Sequence, residues 1–209
     1  LRPHQIAATQ KYIELRKTLS DEEYHSQVPP VPGNTEPNGA YAEIKEIGSG
    51  SRNWTEEQWA FYRWMYCRLV EDVEQQIGRV LAALEESGLA DNTIVVFTSD
   101  HGEMNQSHGL VFKSQLLEEA TRTPLIISGP KVKKNIVDSI NLTCGIDLVP
   151  TICDLAGIPI PENLSGKSLK PILTGETNKI DRNYIIIESS SGYQINDGRY
   201  KYTTFTRNY

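Results

Sequence analysis

Thr93-Ile94-Val95-Val96-Phe97-Thr98-Ser99-Asp100-His101-Gly102-Glu103 is the stretch on which the reading of this chain turns. Its first half is an apolar, β-branched run, the pattern of a buried strand. Its second half changes character at once: a carboxylate, an imidazole and a glycine follow directly. Asp100 offers a hard anionic oxygen, and His101 a nitrogen ligand or a transferable proton. Gly102 lets the backbone turn sharply beside them. Ser107-His108-Gly109 and Lys113 follow on the same loop. A lysine there supplies a point charge for an anionic oxygen. Together the set suits a metal ion and an anionic substrate. Singly, each residue has a plainer reading: Asp100 as a turn cap, His101 as a hydrogen-bonded wall residue, His108 and Lys113 as surface side chains.

Outward from this stretch the chain reads as helices alternating with short apolar strands. Thr55 and Gln58 form a capping box, with Glu56 and Glu57 at the positive end of the helix dipole. An apolar stripe at helical spacing runs from Trp59 through Tyr62, Met65, Tyr66, Leu69, Val73, Ile77, Val80 and Leu81 to Leu84. Gly88 stands where a helix of that length would end. The aromatic residues at the start of this helix read as core. After the strand at Thr93–Thr98, Gln115–Arg122 reads as a short helix and Pro124–Gly129 as a second buried strand. Asp147 is placed to cap a helix over Leu148–Ala156, with Gly157 as its stop. Tyr184–Glu188 reads as a third strand. Tyr193–Ile195 and Tyr200–Phe205 make a hairpin, with Asp197-Gly198 as its turn. Upstream, Gln5–Arg16 carries a helical pattern, and residues 20–53 form a long Pro/Gly-rich loop. The fold class that follows is α/β: a sheet buried on both faces and flanked by helices, ending in a β-hairpin. In such sheets ligands sit beyond the carboxyl ends of the strands, which is where Asp100 and His101 fall.

Composition narrows the partners. The 209 residues carry 21 basic and 27 acidic side chains, a net charge of −6, which disfavours a nucleic-acid footprint. Lys131, Lys133 and Lys134 are the one short basic cluster and read as a solvated loop. No apolar run approaches the roughly 20 residues of a membrane span. Cys67, Cys144 and Cys153 are odd in number and lie in no C-x-x-C, so they read as small buried thiols. Sequons at Asn53, Asn105, Asn141 and Asn163 read as chance.

The block from Ala83 to Glu103 resembles the second-half signature of the type I sulfatases, members of the alkaline phosphatase superfamily. The resemblance continues through Lys113, Glu118–Ile127, Asp147–Ile152, Gly166-Lys167-Ser168-Leu169 and Asp197–Tyr202. Arg2-Pro3-His4 is similar to the Pro-His step of many bacterial sulfatases. The resemblance implies a calcium site to which Asp100 and His101 belong. It implies a sulfate contact at Lys113 and an acid for the leaving oxygen at His4. His108 stands where relatives have a histidine in Gly-x-His, although here Gln106 replaces the glycine. By chemistry alone calcium prefers oxygen shells, which favours Asp100 as the ligand and leaves His101 to contact the nucleophile or the sulfate.

Two features of the resembled family are not found in this sequence. Its formylglycine nucleophile arises from a C/S-x-P-x-R motif, which none of the cysteines matches, and its paired N-terminal aspartates have no counterpart. The expectation is therefore the second half of a sulfatase fold over 1–188, with 189–209 opening a C-terminal region. That half needs its missing N-terminal half and is inactive alone. The intact enzyme would hydrolyse a sulfated carbohydrate or aryl sulfate in the periplasm or after secretion. A phosphodiesterase or phosphonate hydrolase of the same superfamily, and a non-catalytic remnant or scaffold, are the alternatives.

Overall fold

The helix predicted from the capping box is the longest element. In the computed structural model it is α1, Glu56–Glu86, 31 residues long. Thr55 Oγ1 accepts from the Gln58 amide at 3.2 Å, and Gln58 Oε1 accepts from the Thr55 amide at 2.9 Å. Two of the donors a helix start leaves open are thereby satisfied. Gly88, in a left-handed conformation (φ 69°), follows the last turn. The model describes residues 54–113, 115–190 and 192–205, together with Glu14, Thr18 and Ser20. The helical pattern at 5–16 and the loop at 20–53 otherwise lie outside the described residues.

The described chain divides into two compact units, 54–83 with 103–113, and 84–102 with 115–190 and 192–205. In the first unit α1 buries Trp59, Ala60, Arg63 and Trp64 on one face. Trp54, Trp59 and Tyr62 pack ring on ring, with centroids 4.7 to 6.2 Å apart. Of the aromatic residues expected in the core, Trp59 and Trp64 are buried, Trp54, Phe61 and Tyr62 are half-buried, and Tyr66 is exposed. The apolar stripe is not core along its whole length. Leu69, Val73, Val80 and Leu81 are exposed, because among the described residues nothing covers the later turns of the helix. Cys67 is exposed and Cys144 and Cys153 are half-buried, which corrects the expectation of three buried thiols. All three are free.

In the second unit β1 (Val95–Thr98) pairs antiparallel with β2 (Leu125–Ser128), Val95 opposite Ser128 and Thr98 opposite Leu125. A single helical turn, α2 (Glu118–Thr121), precedes β2. It is shorter than predicted: Leu117 at its start is extended, and Arg122, also extended, ends it ahead of Pro124. Helices α3 (Leu148–Ala156) and α4 (Lys170–Thr174) follow, each stopped by a left-handed glycine, Gly157 and Gly175. Strands β3 (Ile185–Ser189), β4 (Gly192–Asn196) and β5 (Lys201–Phe205) form an antiparallel meander, with Ile186, Ile195 and Tyr202 in one cross-strand row. Gln194 is buried on the opposite face and donates to the Leu116 carbonyl at 2.6 Å.

Two expectations about these strands change. They are not buried on both faces: Phe97, Ile126 and Ile186 are exposed. A two-stranded pair presents two faces, and β2 alternates in and out with the strand period of two. The hairpin turn is centred on Gly198-Arg199 rather than on Asp197-Gly198, with Asn196 paired to Lys201 and the Asp197 amide donating to the Tyr200 carbonyl at 3.2 Å. Gly198 alone takes a positive φ (88°), at the first central position as in a type II′ turn. Asp197 Oδ1 accepts from the amides of Arg199 and Tyr200 and holds that turn closed. Lys131, Lys133 and Lys134 are exposed, as expected of a solvated loop. No helix among the described residues is long and apolar enough to cross a membrane.

Candidate active site at the end of the first strand

Asp100 and His101 stand two and three residues beyond the end of β1, in the second unit. The Asp100 carboxylate organises its own neighbourhood: Oδ1 accepts from the His101 amide at 2.9 Å. Ser99 Oγ donates to the His101 carbonyl at 2.8 Å. The His101 ring lies between two oxygens, Nδ1 at 2.8 Å from the Gly102 carbonyl and Nε2 at 3.2 Å from Asp100 Oδ2. Nδ1 faces the backbone carbonyl, and Nε2 is the nitrogen that faces the carboxylate. A histidine held through one nitrogen by a backbone carbonyl is oriented to use the other.

This pair does little for stability. The Asp100 side chain is 81% exposed, and an exposed ion pair contributes about 1 kcal/mol at most. The backbone beneath it is closely packed by contrast. Gly102 donates to the Ala120 carbonyl at 2.9 Å, and a Cβ built on Gly102 would lie 1.9 Å from the Glu119 carbonyl oxygen. The sequence reads Gly102 as a hinge; the close approach to α2 is the stronger reason for glycine there.

His108 and Lys113 lie in the first unit and are exposed. They are carried on a tightly wound segment. Asn105, Gln106, His108 and Phe112 all have left-handed φ, at 43°, 81°, 57° and 66°. Each such non-glycine residue costs on the order of 1–3 kcal/mol unless its surroundings fix it. The fixing groups are visible. The Met104 amide donates to the Phe112 carbonyl at 2.8 Å, and the Gln106 amide to the Leu110 carbonyl at 2.9 Å. Met104 and Val111 are buried beneath the loop. Glu103 Oε1 accepts from Tyr62 Oη at 2.9 Å, from the Phe112 amide at 2.5 Å and from the Asn105 amide at 3.3 Å. Burial, and then the neighbouring Glu103 charge, push the Tyr62 phenol well above its ordinary range, so it is a hydrogen-bond donor at any physiological pH. Sequence reasoning assigned Tyr62 to the core and gave Glu103 no role. The signal was present only as a carboxylate closing the Asp-His-Gly-Glu run.

The predicted site residues belong to two different units. Asp100 and His101 are side by side in one unit, and His108 and Lys113 share one loop of the other. His4 lies outside the described residues. Among the described residues no cluster of three His, Cys, Asp or Glu side chains could enclose a metal ion. Asp100 fits calcium as an oxygen donor, and two neighbouring donors make part of a shell rather than a whole one.

A second acid behaves quite differently. Asp147, predicted to cap α3, does not cap it with its side chain. It is fully buried, and both carboxylate oxygens meet the Arg182 guanidinium at 2.6 Å. Oδ1 also accepts from the Lys167 amide at 2.8 Å, and Oδ2 from the Cys144 amide at 2.9 Å. Burial works against the charge of Asp147. The Arg182 hydrogen bonds and the two amides outweigh it and hold the carboxyl below the usual carboxylate range. Asp147 joins segments about 20 and 35 residues away, a long-range pairing that no local spacing announces.

The architecture and these motifs meet in known proteins. The sulfatase family model matches residues 3–158. A Delta 4,5-hexuronate-2-O-sulfatase of Bacteroides thetaiotaomicron is 37% identical over 164 residues, which is 73% of this chain and 34% of that protein. Among solved structures, a 2-O GAG sulfatase superposes with a TM-score of 0.69 at 32% identity, over 85% of this chain and 43% of that one. A phosphonate monoester hydrolase from Silicibacter pomeroyi gives the same TM-score at 29% identity, over 90% of this chain and 43% of that one. The chain thus spans about a third of the length of the curated relative. The fold is the sulfatase/alkaline phosphatase-like α/β fold. With one family model running from residue 3 through the Asp100-His101 turn to just past the end of α3, this chain belongs to the sulfatase family.

Proposed function

We propose that this chain is part of a sulfatase that hydrolyses sulfate esters of sugars, with residues 1–188 forming the second half of its α/β domain and 189–209 opening the C-terminal region. The observation that carries this reading is the Asp100–His101 pair. An exposed carboxylate and an imidazole nitrogen stand 3.2 Å apart beyond the end of a strand, on a backbone that approaches the neighbouring helical turn closely at Gly102. The sugar comes from the relative named above, a hexuronate sulfatase.

In this reading Asp100 holds a calcium ion, with His101 beside it. Calcium when bound neutralises charge on the sulfate oxygens. Lys113 adds a positive charge on the same oxygens. His4 protonates the leaving oxygen, and His108 is a further catalytic candidate. The nucleophile, a formylglycine, belongs to a segment outside this sequence, so the 209-residue chain alone is inactive. The intact protein acts in the periplasm or outside the cell.

The test is turnover by the full-length protein that contains this chain. Nitrophenyl sulfate and a sulfated hexuronate disaccharide are hydrolysed, and activity falls with chelator and returns with calcium. The 209-residue chain alone turns over neither; turnover by it that disappears in Asp100→Ala would overturn the assignment of inactivity. The phosphonate monoester hydrolase likeness, equal in TM-score, favours a second reading. Faster turnover of a phosphonate monoester than of any sulfate ester would replace the first reading with it.

A further inference from the structure

We propose that Glu103 is a positioning residue: it clasps the two ends of the 103–112 segment and thereby fixes where His108 and Lys113 stand. The inference rests on the sulfatase reading for what those two residues do, and on geometry for how they are held.

One oxygen of Glu103 takes three donors from three places. Asn105 is near the start of the segment, Phe112 is at its end, and Tyr62 is on α1. All of these lie in the same compact unit. The segment between is wound through four left-handed non-glycine residues. Such a backbone persists only where its surroundings over-determine it. Apolar burial of Met104 and Val111 anchors the loop from below and the Met104 amide holds the Phe112 carbonyl, but neither fixes the Phe112 N–H and with it φ at that residue. The hydrogen bond from the Phe112 amide to Glu103 can. Lys113 follows Phe112 directly, and His108 is itself one of the left-handed residues, so both side chains point where this winding sends them. Loss of the clasp lets the Phe112 peptide turn and carries the lysine with it. Displacement of a charge-stabilising group by about 1 Å lowers turnover by about a hundredfold.

Tyr62 completes the arrangement. It ties the carboxylate to a helix turn that also buries Trp59 and Arg63, so the clasp is referenced to a rigid element rather than to the loop itself. A carboxylate with this role is graded in its response to substitution. Glu103→Ala removes the acceptor, Glu103→Gln keeps an acceptor without its charge, and Tyr62→Phe leaves the acid and removes one donor.

The experiment compares these three variants with the unmodified full-length protein by kcat and KM on nitrophenyl sulfate, inhibition by inorganic sulfate, and amide hydrogen exchange. Expected losses in kcat are about a hundredfold for Glu103→Ala, about tenfold for Glu103→Gln and a few-fold for Tyr62→Phe. The inhibition constant for inorganic sulfate rises in the same order, while exchange accelerates at Asn105 and Phe112 and is unchanged across α3. A Glu103→Ala protein that folds and keeps kcat within about twofold of the unmodified one overturns the proposal. So does a loss of activity with no change in exchange at Phe112. If Glu103→Ala does not fold, the Glu103→Gln and Tyr62→Phe pair decides by the same two criteria. If the unmodified protein hydrolyses no sulfate ester, the sulfatase reading fails by itself, and exchange at Phe112 then judges the clasp alone: acceleration keeps it, and none removes it.

Discussion

Asp100 and Asp147 are both aspartates of one compact unit, both next to apolar secondary structure, and they are opposites. Asp147 has no exposed surface, and both of its oxygens are engaged by Arg182 and by backbone amides. Asp100 holds its own turn with one oxygen and leaves the carboxylate 81% exposed beside His101. An acid whose acceptor sites are filled in the interior is a fastening. An acid held out to solvent at a strand end is a different kind of group. The distinction comes from burial, and residue type does not reveal it.

That contrast breaks first at Asp147. Asp147→Ala leaves the Arg182 guanidinium buried without its partner, an uncompensated charge that costs about 3–5 kcal/mol. Chemical denaturation measures it; a loss below about 1 kcal/mol would show that the pair is ornamental. The same acid gives a pH dependence with a definite sign. Its folded carboxyl lies below the ordinary range, so its contribution is complete above the unfolded value near about 4 and disappears as pH falls through the lower folded value. Asp147→Asn accordingly loses stability at neutral pH and has a shallower acid limb than the unmodified protein. Asp138 and Asp154, also shifted below the usual range, retain part of that limb. Equal slopes in the two proteins would detach the acid limb from Asp147.

The contrast sharpens at Asp100. Asp100→Ala in the full-length enzyme lowers sulfate-ester turnover by about a hundredfold or more, while unfolding free energy changes by no more than about 0.5 kcal/mol. A large stability loss with modest loss of turnover would put Asp100 in the same class as Asp147. Thr151 offers an intermediate case. Its hydroxyl donates to the Asp147 carbonyl at 2.6 Å and accepts from the Leu169 amide at 2.9 Å, all within the interior. Thr151→Val orphans both groups and costs about 2 kcal/mol, read from the denaturation midpoint. The smallest effect belongs to the exposed cap of α1. Thr55→Ala removes half of the capping box and costs about 1 kcal/mol, with turnover unchanged.

Much of this architecture was legible because it is local. The capping box and Gly88 bracketed α1 to within two residues, and Gly157 marked the end of α3. The apolar run before Asp100 placed β1 and the turn that follows it. The burial of those elements was less legible. A stripe of Leu69, Val73, Val80 and Leu81 has helical spacing whether or not anything covers it, and these residues are exposed. The Asp147–Arg182 pair and the Tyr62–Glu103 bond join residues 35 and 41 positions apart, and spacing carries no information at that range. At the candidate site, Asp100 with His101 and the loop with His108 and Lys113 were picked out in the sequence by residue type. What holds them in place was not, since Glu103 reads as one more exposed acid until Phe112 and Tyr62 are seen to converge on it.

Gly102 has a consequence for anyone who would redesign this turn. The space where its side chain would begin is already filled by a backbone carbonyl of the neighbouring helical turn, and that carbonyl cannot rotate aside as a flexible side chain would. In a library randomised over residues 99–103, selection for soluble expression alone should return glycine at 102, before any activity is demanded. Invariance at that position would then record the shape of the scaffold, and a survey that ranked positions by how rarely they change would mistake it for chemistry.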